Sequence, residues 1–171
     1  MIQRSLIIGV AFGLLVAQGL LHHVGLPAWA IPQGLVACVV FLAFYDCSIA
    51  GAVTAFVVGL LLDLTSATLL GPWAAAFIAI YSGLTFLSQR LFVESPLVAM
   101  MVTGASTMLA GSIYLLLAFE YQSLSVGDLT TLVGQAIVSA IISPLIISFL
   151  VRATKRSNPV ALRRGSVISA I

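Results

Sequence analysis

Polar and apolar positions along this chain do not alternate; they segregate into long blocks. No Asp, Glu, Lys or Arg interrupts the stretches Ser5 to Tyr45, Cys47 to Leu62, Leu64 to Gln89, Ser95 to Phe119 or Leu129 to Val151. A helix that crosses a bilayer needs roughly 20 apolar residues, about 17 at the short end. The first block has room for two such helices and carries Pro27 and Pro32 where a hairpin would turn. The pattern predicts six helices, at about 5–22, 31–46, 48–64, 71–89, 96–119 and 130–151. The second and third are short. They are either two spans or one irregular, re-entrant element, which a membrane tolerates where protein screens it. A β-barrel is excluded, because its strands alternate polar and apolar at every second residue. Runs such as LIISFL at 145–150 show no such alternation.

Composition sharpens the picture. Of 171 residues, 61% are hydrophobic and 7% charged, and the mean hydropathy is +1.22. A soluble domain carries about a quarter charged residues, so most of this exterior must face lipid. The expectation is an all-α polytopic membrane protein of about six transmembrane helices. Residues 1–151 form its single transmembrane domain and 152–171 a basic cytoplasmic tail. Arg4 ahead of an apolar run, with Ala28-Trp29-Ala30 behind it, has the outline of a cleavable signal. The run exceeds the usual 7–15 residues of such a signal, which favours an uncleaved anchor.

Charge sets the orientation. With six spans and an inside N-terminus, Arg4, Arg90, Arg152, Lys155, Arg156, Arg163 and Arg164 all fall on the cytoplasmic side, and Glu120 and Asp128 fall outside. The positive-inside rule therefore puts both termini in the cytoplasm. Five of the basic residues, Arg152, Lys155, Arg156, Arg163 and Arg164, crowd the tail. Each adds about 1 kcal/mol of attraction to an anionic leaflet, which makes membrane lipid one partner; a docking strip for a cytoplasmic protein is the alternative. So short a tail does not argue for nucleic acid.

Little else suggests chemistry. Cys38 and Cys47 lie toward the cytoplasmic half, where no disulfide is expected, and no Cys/His spacing suits a metal. His22-His23, Trp29 and Tyr45 read as interfacial residues. Asp46/Cys47 and Arg90/Glu94 read as solvated turns, with Arg90 and Glu94 weakly paired at i, i+4. Gln135, Ser139 and Ser143 form a polar stripe ahead of Pro144, which can kink the last helix. Gly104, Thr107 and Gly111 make a small face on the fifth, and Met100, Met101 and Met108 read as packing. No nucleophile–base pair or phosphate-binding glycine loop occurs, so neither an enzymatic activity nor a cofactor is expected.

The segment GLLLDLTSATLLG, 59–71, stands apart. Gly51, Ala55, Gly59 and Asp63 fall at i, i+4 intervals, three small residues and a carboxylate on one helical face. Small residues four apart let helix backbones approach closely, and a charge in a span faces protein or a water-filled cavity. This face therefore looks inward or at a partner. Thr65, Ser66 and Thr68 follow, and Gly71-Pro72 opens the next helix, with proline where its missing N–H costs nothing. Three readings of Asp63 stand: a hydrogen-bonded turn using loop hydroxyls and backbone N–H groups, an ion or proton site, and a partner contact.

Gly59, Asp63, Leu64, Ser66, Leu70 and Gly71 resemble, in place, the signature of the MreD family of bacterial rod shape-determining membrane proteins. Ala55 stands where that family often has glycine, and the match covers about a tenth of the chain, with length and hydropathy agreeing beyond it. The resemblance implies a non-enzymatic, multi-pass inner-membrane scaffold of the elongation machinery. Its implied partners are MreC, cytoplasmic MreB filaments, a RodA-type glycosyltransferase and a class B penicillin-binding transpeptidase. The motif residues Gly51, Ala55, Gly59, Asp63, Ser66 and Gly71 are then a partner-binding or structural site, and Asp63→Asn should be milder than Gly59→Leu. The size and six helices also resemble the substrate-binding S components of energy-coupling-factor vitamin transporters, whose fold the scaffold could share without sharing the function. An ion-coupled carrier using Asp63 is a third reading, without the internal repeats expected of one.

Overall fold

Six α-helices make up nearly all of the residues that the computed structural model describes, which are 2–66, 71–88, 95–118 and 126–157. In chain order they are α1 (Ile2–His23), α2 (Gly34–Tyr45), α3 (Ile49–Ser66), α4 (Pro72–Ser88), α5 (Pro96–Ala118) and α6 (Val126–Ser157), with a 3₁₀ turn at Ala28–Ala30 before α2. Local chemistry explains the ends. Gly25, at φ +85°, lets the chain leave α1 in the left-handed region, with its N–H on the His22 carbonyl at 3.1 Å. Pro72 and Pro96 each occupy a first helical position, where no donor is lost.

Among the described residues, four segments are long and apolar enough to cross a membrane: Ser5–His23, Ala28–Tyr45, Leu97–Leu117 and Gly127–Thr154. The apolar α3 and α4 are shorter, at 18 and 17 residues, which is about 26 Å of helix. The protein is an all-α polytopic membrane protein.

The second and third elements are two distinct helices, joined by a tight turn. Ser48 divides them. Its Oγ accepts the Gly51 N–H at 3.1 Å and donates to Asp46 Oδ1 at 2.7 Å, which starts a new helix directly after the turn. Asp46 is thus half-buried and engaged rather than merely solvated, while Cys47 is exposed. The last helix is longer than its charge-free core. It continues to Ser157, which places Arg152, Lys155 and Arg156 on helix.

The core is α2. Its sequence, GLVACVVFLAFY, is apolar on every face, which suits lipid and the protein interior alike, and packing places it in the interior. Every residue from Gly34 to Ala43 is buried, and α2 touches all five other helices. At 12 residues it is about 18 Å long, so the 3₁₀ turn and the extended residues before it complete the path. By contrast, α1 presents Phe12, Val16 and Leu20 outward.

α5 and α6 pack through the small face of α5. A Cβ on Gly104 would sit 3.3 Å from Ala140 Cβ, and one on Gly111 would sit 2.6 Å from Leu132 Cδ1. Pro144 lies inside α6 and removes the N–H that would bond the Ala140 carbonyl. Ser143 Oγ replaces that donor, reaching the Ala140 carbonyl at 2.8 Å. A hydroxyl beside a proline keeps the freed carbonyl satisfied where water is absent.

Candidate functional site

The stripe that ends in Asp63 lies against α4. Gly51, Ala55, Gly59 and Asp63 are all buried, Asp63 at 2% exposure. A Cβ added at Gly59 would come within 2.6 Å of Ala74 Cα and 2.9 Å of the Trp73 carbonyl oxygen, so backbone meets backbone there. One added at Gly51 would collide with the Asp46 carbonyl oxygen and the Tyr81 hydroxyl. Of the two directions open to this face, inward or toward a partner, the chain uses the inward one.

Asp63 completes the contact at one end. Its Oδ2 accepts the N–H groups of Gly71 at 3.0 Å and Ala74 at 3.1 Å, and Oδ1 accepts that of Trp73 at 3.1 Å. A carboxylate at the end of one helix thus caps the start of the next, across a connection of only a few residues. The first N–H groups of a helix have no partner within it and carry partial positive charge. A buried carboxylate is stable here because those donors replace the water it gave up. Gly71, at φ +121°, bends the chain so that its own N–H joins the set.

Of the three loop hydroxyls, that of Thr65 is the one described. Thr65 Oγ1 turns back to the Leu62 carbonyl at 2.9 Å. Ser66 is the final residue of α3, and Thr68 and Leu70 lie outside the described residues.

Tyr81 holds the opposite end of α3. Its hydroxyl lies 2.6 Å from the Asp46 carbonyl and 2.9 Å from that of Ser48, and accepts the Ser48 N–H at 3.1 Å. The contact between α3 and α4 therefore has a polar lock at each end and glycines between. Trp73 carries it on to α5, with its ring stacked on Tyr114 at 4.6 Å and edge-on to Phe77 at 6.1 Å. Nothing in the α3 pattern pointed to Tyr81. The available signal was a lone phenol among apolar residues, since a buried tyrosine hydroxyl needs a partner.

A second polar group surrounds the break before α2. The predicted stripe on α6 supplies Gln135 and Ser139, and the chain before α2 supplies Gln33. Ser139 Oγ accepts the Gln33 N–H at 2.8 Å, and Gln135 Oε1 accepts Gln33 Nε2 at 2.9 Å. Trp29 seats its backbone against Gly134, where an added Cβ would lie 2.7 Å from Trp29 Cβ. Trp29 is therefore a packing residue as well as an exposed aromatic.

Of the basic tail, Arg152 is exposed on α6, Lys155 and Arg156 follow on its last turns, and Arg163 and Arg164 lie outside the described residues. Arg90, Glu94 and Glu120 lie outside them too. His22 and His23 are exposed at the end of α1. Cys38 is buried in α2, Cys47 is exposed, and both are free thiols. Among the described residues no group of three His, Cys, Asp or Glu side chains could hold a metal ion. Compared with family models, with curated proteins and with solved structures, the chain matches none.

Proposed function

We propose that this chain is a non-enzymatic scaffold of the bacterial elongation machinery, lying in the inner membrane with both termini cytoplasmic. On this reading it binds MreC and helps connect MreB filaments to a RodA-type glycosyltransferase and a class B penicillin-binding transpeptidase. The observation that carries the reading is the fate of the MreD-like residues. Gly59, Asp63 and Gly71 build one junction, in which glycine admits the α4 backbone and the carboxylate binds its first N–H groups. Those groups are spent on rigidity between helices, which is what a scaffold requires. The exposed Arg152 on α6, followed by Lys155 and Arg156, provides a basic end for anionic lipid or a filament.

The test is a mild-detergent pull-down of the tagged full chain from native membranes, with co-purifying proteins identified by mass spectrometry. Enrichment of MreC and the two wall synthases is the expected result. Enrichment of an ATPase pair with its coupling subunit would instead make the chain the S component of a vitamin transporter.

A further inference from the structure

Between His23 and Gly34 the chain leaves α-helix and returns to it, and backbone at membrane depth cannot leave its polar groups to lipid. Amide side chains gather at this break. Gln18 of α1 donates from Nε2 to the Pro32 carbonyl at 2.6 Å. Gln33 Nε2 donates to Gln135 Oε1 at 2.9 Å, and Gln135 Nε2 donates to the Ala28 carbonyl at 3.0 Å. Two glutamines thus donate to one short segment, and a third, within it, donates to Gln135 of α6.

Their acceptors do not balance. Gln18 Oε1 and Gln33 Oε1 are both buried, and neither has a hydrogen-bond partner. Turning the amides over does not help. A reversed Gln18 would set its oxygen against the Pro32 carbonyl. A reversed Gln33 would face Gln135 Oε1, and reversing Gln135 as well would move the conflict to the Ala28 carbonyl. The observed arrangement is the one in which every amide nitrogen has an acceptor, and it leaves two oxygens over. The Gln33 side chain does not turn back to cap α2; its backbone N–H is met by Ser139 Oγ, and its carbonyl accepts the Val36 N–H at 3.1 Å. The unmet side-chain groups at the break are therefore these two acceptors.

We propose that the break before α2 is a built water site, in which ordered water donates to Gln18 Oε1 and Gln33 Oε1 and belongs permanently to the fold. Water is a neutral donor of the kind both leftover oxygens lack. Buried waters typically make about three hydrogen bonds to such atoms. A metal ion or ammonium suits the site less well. Gln18, Gln33, Gln135 and Ser139 are all neutral, and charge held within a membrane is paired with opposite charge or a dense set of carbonyls. The water would let α2 begin inside the protein, at the cost of a hydrated joint between α1, α2 and α6.

The test is a structure of the full chain crystallised from lipid, at a resolution that shows ordered water. Water density at hydrogen-bond distance from both oxygens is the expected result. A protein donor on either oxygen, a lipid headgroup or ion in that place, or no density there would overturn the proposal. Water-edited solid-state NMR of the same chain in bilayers is an independent check. Polarisation should pass from water to the side-chain carbonyls of Gln18 and Gln33 but not to Leu35 or Val36 beside them, and its absence at the two glutamines counts against the site.

Discussion

Replacing Asp63 with asparagine removes half of the acceptor capacity at the α3–α4 junction while barely changing shape. In the native protein Oδ2 serves Gly71 and Ala74, and Oδ1 serves Trp73. Asparagine has one acceptor oxygen. Placed where Oδ2 lies, it keeps two of the three donors and turns its own NH₂ toward the Trp73 N–H. One buried donor then loses its acceptor, a cost of about 1–3 kcal/mol. Loss of the negative charge at the N-terminus of α4 adds up to about 2 kcal/mol in a partly buried site. Together these give a destabilisation of about 1–5 kcal/mol. Reversible unfolding in mixed micelles would measure it by tryptophan fluorescence. Trp29 and Trp73 are the only tryptophans, so a Trp29→Phe background leaves Trp73, at the junction itself, as the reporter. A D63N variant within about 0.5 kcal/mol of its parent, the range of an ordinary surface substitution, would refute the capping account.

Gly59→Leu should still be worse than Asp63→Asn, since even a Cβ would come within 2.6 Å of Ala74 Cα. Gly59→Ala alone should cost about 3 kcal/mol, at the upper end of overpacking, in the same unfolding assay, and an unchanged midpoint would mean that α3 and α4 are not in backbone contact. Tyr81→Phe removes the hydroxyl that accepts the Ser48 N–H and should lower stability by about 1–3 kcal/mol; faster amide exchange at Ser48 would locate the damage, and unaltered exchange would argue against the lock. Ser143→Ala should cost about 1 kcal/mol by stranding the Ala140 carbonyl beside Pro144, whereas a Pro144→Ala change made with it should recover most of that loss. A membrane-impermeant maleimide should label exposed Cys47 and not buried Cys38, and should do so only from the cytoplasmic side of sealed vesicles. Labelling from the opposite side would invert the proposed orientation.

Helix existence and approximate extent were determined by the sequence alone, because lipid leaves a backbone only its own hydrogen bonds and charge-free blocks mark where they must form. The direction of the Gly51–Asp63 stripe is also legible: periodicity identifies which residues share a face, and small residues with a carboxylate must turn it toward protein. The burial of α2 is not, because a segment with no polar face suits lipid as well as protein. Periodicity says nothing of what stands opposite. Only the tertiary structure made α4 the neighbour, and only it gave Asp63 the N–H groups of residues 71, 73 and 74 as partners. Tyr81 and the glutamine cluster depend still more on assembly. Gln33 meets Gln135 and Ser139 across more than a hundred residues. No local pattern encodes such a meeting, because it exists only once α1, α2 and α6 have packed and the break in the chain needs its polar groups satisfied.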